Sequence, residues 1–199
     1  MSKIYYHFTN DRLRDGTPIP PIGEWLVFPG TPKICYRGLH ASDHPFDALQ
    51  FAPGNILHKV ELIGIEEKHT NKVVAKQRKI IATIDATDLL QSSARQFAVD
   101  VMDLWTPPGI VRDFLITGDK SKAPAAEAAA AEAAAGSAWP ARAAGWAAAW
   151  AARAAAEAEA AAAAAAWAAA ETTKPHLKQL QAEYFLKVVE AEFKKQGNS

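Results

Sequence analysis

From Lys120 to Glu171 nearly two-thirds of the residues are alanine, whereas residues 1–119 have the mixed composition of a globular domain. Alanine has the highest intrinsic helix propensity and the smallest apolar side chain, so such a tract is restricted to helices whose backbones approach closely. The break divides the chain into an α+β region, 1–119, and an alanine-rich helical region, 120–199. The tract is punctuated. Gly136 can end one helix, Ser137 can cap the next, and Pro140 falls in its first turn, where a missing N–H does no harm. Thr172-Thr173-Lys174-Pro175 separates this helix from a last one, whose Leu177, Leu180, Tyr184 and Val188, with Phe185, Val189 and Phe193, form a broad apolar stripe. Trp139, Trp146 and Trp150 are seven and four residues apart and share a helix face. That face is expected either to fill the interior of a helical hairpin or bundle, or to join copies of the chain into an oligomer.

The first region reads as a mixed or antiparallel sheet with helices. Ile4–Thr9, Trp25–Phe28, Lys33–His40, Ile56–Ile65 and Lys72–Ile84 carry β-branched and aromatic residues between Gly, Pro and Asn turns. Thr17-Pro18-Ile19-Pro20-Pro21 cannot supply ladder donors and is read as a loop, with Pro29-Gly30-Thr31-Pro32 as a second turn. Ser42 or Asp43 can cap a helix over Pro45–Phe51, and Thr87 can cap Asp88–Trp105. Thr106-Pro107 starts a third helix that stops at Gly118. Leu90, Phe97, Val101 and Leu104 give the second helix an apolar face to lay on the sheet.

Several function classes lose support at once. Lys plus Arg equal Asp plus Glu, so the field that gathers nucleic acid around a basic protein is missing and no nucleic-acid partner is expected. The single cysteine, Cys35, cannot form an internal disulfide and sits in an apolar run where a small buried thiol is common. The start of the chain lacks a signal-like apolar core, and the alanine tract is too weakly apolar to span a bilayer, which gives the expectation of a cytoplasmic protein with no membrane partner. No Gly-rich phosphate loop or nucleophile elbow occurs. His40 and His44 with Asp43 and Asp47 invite a metal reading, but a strand ends at the first of them, so no metal site is expected.

The candidate site is built from Tyr6-His7-Phe8-Thr9 and Gly38-Leu39-His40-Ala41-Ser42, followed by Pro45 and Asp47-Ala48-Leu49. Joined to an Ala/Trp/Arg-rich helical tail, this arrangement resembles a group of phage and bacterial proteins that share it, a resemblance that carries no activity with it. The order of motifs in about the first ninety residues also resembles the ADP-ribosyltransferase superfamily. There, an early strand His is followed by a Gly-hydrophobic-Tyr-Phe-Ala strand running into a helix, then by a Val-Glu-hydrophobic strand, matched here by Val60-Glu61-Leu62. The resemblance implies that His7 holds a ribose, that His40 replaces the Tyr that stacks nicotinamide, and that the late strand Glu falls near Gln77 or Arg78, where no carboxylate stands. Loss of a group that stabilises a cationic transition state removes rate while leaving ribose binding possible.

The expectation is therefore an ADP-ribosyltransferase-like α+β domain, degenerate in its chemistry, that binds and sequesters a small nucleotide such as an ADP-ribose derivative or a signalling nucleotide. It needs no cofactor and has no catalytic residues. The phage resemblance suggests a viral counter-defence role, in which a host immune signal would be held. The candidate ligand-binding residues are His7, Thr9, Arg37, His40, Ser42, Gln77 and Arg78, and the candidate interface residues are Trp139, Trp146 and Trp150. Two alternatives stand beside it. One is an active transferase consuming NAD, which needs Glu61, Glu66 or Glu67 in the site. The other is a protein-interaction module working through the Ala/Trp helices.

Overall fold

The computed structural model describes residues 3–139, 141–155 and 176–197. The expected boundaries at Pro140 and at Thr172-Thr173-Lys174-Pro175 lie outside these residues. The class is α+β, with an open antiparallel sheet and several helices. Two compact units make up the chain: Met1–Ala86 together with Phe185–Ser199, and Thr87–Tyr184.

The first unit contains β1 (Tyr5–Thr9), β2 (Trp25–Val27), β3 (Leu39–Ala41), α1 (Pro45–Leu49), β4 (Ile56–Lys68) and β5 (Val73–Asp85). All pairings are antiparallel, in the order β1-β4-β5-β2, with β3 also on β5 beside β2. A further pair of hydrogen bonds, Tyr6 N–H to Ser42 O at 2.8 Å and Ser42 N–H to Tyr6 O at 2.9 Å, draws the end of β3 against β1. The sheet therefore curls around one of its own faces.

Partners directly opposite in a ladder share a face, and neighbours along a strand do not. The register sets Tyr5 beside Val60 and Val60 beside Ile80, then His7 beside His58 and His58 beside Thr83. Arg78, opposite Leu62, lies on the same face as these residues. Tyr5, Ala41, Val60, Val73 and Ile80 form a buried cluster, and Ile19 of the Pro-rich loop packs against it together with Leu62.

The other face of β1 and β4 receives the last turns of the final helix, α6 (Leu177–Gly197; α2 to α5 are described below). Tyr6 Oη donates to Glu190 Oε1 at 2.7 Å, Lys59 Nζ donates to Glu190 Oε2 at 2.8 Å and lies over the Phe193 ring, and Phe185 meets Phe46 edge to face. On this helix the buried residues are Leu177, Gln181, Phe185, Val189 and Phe193, a row spaced strictly by four. The expected stripe is thus narrower. Leu180 is 59% exposed, and the polar Gln181 takes the buried place beside it.

Two local expectations are corrected. α1 is capped by His44, whose Nδ1 accepts from Phe46 N–H, because Ser42 is tied to Tyr6 and the Asp43 carboxylate is held by Lys3 and Lys68. The strand expected over Lys33–His40 shrinks to β3, since Lys33 and Arg37 close a tight turn. Cys35 stands in that turn at φ 67°, exposed, and is not a buried strand thiol.

The second unit holds α2 (Thr87–Val99), α3 (Gly109–Thr117), α4 (Ala123–Ala135), α5 (Ala141–Arg153) and the start of α6. Leu90, Phe97 and Val101 are buried, and α2 packs on α3 and α5 within this unit. α3 ends at Gly118, whose left-handed φ of 68° suits glycine. α4 and α5 pack on one another, with Ala126, Ala130 and Ala134 buried on one, and Ala144, Ala147, Ala148 and Ala151 on the other. Gly145 marks the contact, because a Cβ there would lie 2.8 Å from the Ala134 Cβ. Trp139 is 56% exposed and Trp146 40% exposed, while Trp150 is half-buried, so among the described residues the first two do not fill a bundle interior. The physical reason is spacing. Helices separated by alanine and glycine leave no room for an indole between them.

Candidate functional site

One face of the sheet carries His7, His58 and Arg78. His58 is 1% exposed, and both its ring nitrogens are satisfied. Nε2 is 2.8 Å from Thr9 Oγ1, and Nδ1 is 2.8 Å from Thr83 Oγ1, so one ring nitrogen donates and the other accepts. Burial, and then the charge of Arg78, lower its pKa to about 4. The ring is therefore a neutral cross-strand strut.

His7 stacks on His58 with ring centroids 6.4 Å apart and planes 25° from parallel. It is half-buried, and neither of its nitrogens bonds to a described residue. Burial is the main cause that pushes its pKa well below the usual histidine value, with the charges of Arg78, His58 and His40 adding to it. A neutral imidazole with free nitrogens can both donate to and accept from a ligand hydroxyl.

Arg78 is 5% exposed, and the one hydrogen bond its side chain makes to a described residue runs from Nη1 to His40 O at 2.8 Å. No described carboxylate pairs with it. Burial lowers its pKa to about 10, which leaves it charged at neutral pH. A guanidinium with five donors in a fork, enclosed by protein and carrying an uncompensated charge, is the arrangement that receives an anion.

His40 lies at the edge of this group, half-buried. Its Nδ1 donates to Gly38 O and its Nε2 accepts the Cys35 N–H, both at 3.1 Å, which fixes its tautomer. Burial lowers its pKa most, the bond to Gly38 opposes this, and the charges of Lys72, Arg78 and Arg14 lower it further. Gly38 itself, at φ 108°, brings the backbone so near Val74 and Pro32 that a Cβ would lie 2.7 Å from Val74 Cγ2.

The structure thus brings together His7, Thr9, His40 and Arg78 of the expected ligand residues. Ser42 is buried beside them, and its backbone closes β3 onto β1. Gln77 faces the opposite side of the sheet, opposite Ile63 and Val27, because it neighbours Arg78 along the strand. Arg37 is exposed, its Nε donating to Thr31 O in the turn. His58 and Thr83, neither of them among the expected ligand residues, complete the network. Their one signal was parity along neighbouring strands, which requires a register to be readable. Glu61 pairs with Lys79 at 2.6 Å on the far face, and Glu66 is exposed. Among the described residues no group of three or more His, Cys, Asp or Glu could hold a metal ion, and no helix is long and apolar enough to cross a membrane.

Residues 3–92 match the model of a family described as a domain of unknown function (DUF7666), a span that runs from before β1 into α2. No curated protein matches the chain, and no solved structure does.

Proposed function

We propose that the first unit binds a small nucleotide, of the ADP-ribose or signalling-nucleotide kind, and holds it without turning it over. The observation that carries this reading is Arg78, buried with no described carboxylate partner on the same face as the free nitrogens of His7. An anionic group at the guanidinium and a hydroxyl at the imidazole are the two halves of a ribose phosphate. That Glu61 is engaged by Lys79 on the other face favours holding over transfer, since a cationic transition state is stabilised by a carboxylate placed beside it.

The test is a titration with NAD, ADP-ribose and cyclic nucleotides, following thermal stability and then recovering each ligand for chromatography. A ligand at about a hundred times its Kd adds about 2.7 kcal/mol. Stabilisation with intact ligand, weakened in His7→Ala, is the expected result. Release of nicotinamide from NAD would turn the reading to a transferase, and no shift with any nucleotide would overturn it.

A second reading, self-association through Trp146 of α5 and Trp139 ahead of that helix, is favoured by their exposure. It requires a concentration-dependent mass in sedimentation that a Trp139→Ala, Trp146→Ala double variant abolishes.

A further inference from the structure

β2 ends the strand order of the sheet, and among the described residues no strand lies beyond it. One hydrogen bond tells its two edges apart. Phe28 N–H donates to Lys76 O at 2.9 Å, continuing the register in which Leu26 stands opposite Arg78 and Val27 opposite Gln77. Bonding groups alternate along an antiparallel strand, so Phe28 and Leu26 turn theirs toward β5, and Trp25 and Val27 turn their N–H and C=O groups outward. Residues 21–30 are exposed, apart from the half-buried Leu26 and Phe28, so this edge is open. Val27 is 52% exposed, and on the same face Ile63, across Gln77 from it, is 50% exposed. Sheet edges are commonly blunted by proline or by charge. Here Pro20, Pro21 and Pro29 lie outside the strand, and Lys79, whose ammonium rests over the Trp25 ring at 4.8 Å, is paired with Glu61 of its own chain.

We infer that the outer edge of β2 is a dimer contact, on which β2 of a second copy of this chain pairs antiparallel about a two-fold axis at Leu26. The strand is its own complement. With Leu26 opposite Leu26 of the second copy, Trp25 falls opposite Val27 on both sides of the axis, and each of these two pairs exchanges two N–H to C=O bonds. Every backbone group that β2 turns outward is then satisfied. Each pair also sets an aromatic side chain beside a β-branched one on a single face, a favourable cross-strand combination. The ladder stops there of its own accord. The next outward pair would be Pro29 with Gly23 of the second copy, but proline has no N–H, and the Gly23 N–H is already bonded to Ile80 O at 2.8 Å. Charge favours a second copy as the occupant. Glu24, beside the strand, stands opposite Phe28 of the second copy and meets no like charge, and a chain of zero net charge brings no net repulsion to its own copy. An edge of three residues covers less than the about 1,200 Å² of a stable interface, so the dimer is weak, with a Kd on the order of 10–100 µM.

Sedimentation of the full-length protein from about 5 to about 500 µM is the test. The mass is expected to rise from that of the 21.4 kDa chain toward twice that value. Val27→Pro removes an outward N–H, and with it two of the four bonds of the dimer, while leaving the β5 ladder intact. Val27→Lys keeps the strand and sets like charges on either side of the axis. Each is expected to weaken association at least about tenfold, and melting curves of the dilute proteins check that both keep the fold. The Trp139→Ala, Trp146→Ala double variant should dimerise as the wild type does, which separates this edge from the tryptophan surface. Amide exchange supplies a second readout: the N–H groups of Trp25 and Val27 should exchange fast in dilute protein and slow with concentration, while that of Leu26, turned to β5, changes little. A mass that stays at one chain throughout, association unchanged in both Val27 variants, or Trp25 and Val27 amides indifferent to concentration would each overturn the inference. So would a monomer whose Trp25 and Val27 amides are protected only by an added extended peptide, which would give the edge to a foreign strand.

Discussion

At the residue scale the instructive contrast is between two histidines on one face. His58 has both nitrogens tied to threonine hydroxyls, whereas His7 has neither tied to a described residue. From the sequence only His7 stood among the candidate ligand residues. The difference has a thermodynamic consequence. The folded pKa of His58 is about 4, against about 6.5 for an unfolded histidine, so the unfolded state binds the extra proton in the interval between them. Stability from this group is full above the unfolded value, falls as pH drops through that interval, and levels off once both states are protonated. A displacement of this size corresponds to about 3 kcal/mol, and His7 acts in the same direction. The thermal midpoint is therefore expected to fall between pH 6.5 and pH 4.5, with a shallower slope in His58→Gln. Superimposable profiles for the two proteins would refute the buried neutral strut.

At the element scale the alanine-rich pair α4 and α5 inverts the usual reading of a hydrophobic face. The spacing of Trp146 and Trp150 places both on α5 within about one turn, but periodicity does not say which side is buried. Packing decided that, because a helix pair that meets at Gly145 and Ala134 buries its small residues and turns its large ones outward. Gly145→Leu is accordingly expected to destabilise by about 1–3 kcal/mol through overpacking. Trp146→Ala, on the exposed side, should stay within about 0.5 kcal/mol. Chemical denaturation of the two variants checks both, and a larger loss for Trp146→Ala would mean that the indole is buried in solution. The α6 stripe teaches the same lesson. Among Leu180, Gln181 and Tyr184, hydrophobicity favoured the first and third, and the four-residue row chose Gln181.

At the scale of the whole molecule, the unit that carries the site is not contiguous in sequence. Residues 3–92 match the model of the family of unknown function, and this span includes every strand among the described residues, but the compact unit also takes in Phe185–Ser199. Phe185 and Val189 are fully buried and Phe193 nearly so, and Glu190 joins Tyr6 to Lys59. Each such apolar side chain contributes about 1.5–3 kcal/mol when buried. A chain ending at Tyr184 is thus expected to lose most of the stability of its sheet unit, read as a broad, early melting transition, although it keeps the whole matched span. A sharp transition at the wild-type temperature would show that the terminal turns are dispensable. By itself the sequence determined the class, the two alanine-rich helices and the loop nature of the Pro-rich stretch. These follow from propensity, periodicity and proline geometry, which act within a few residues. Only the tertiary structure decided that Gln77 faces away from Arg78, that His58 and Thr83 brace His7, that Trp139 and Trp146 are exposed, and that the last turns of the chain complete the first unit. Those outcomes depend on strand register and helix spacing, which are set by contacts between residues far apart along the chain.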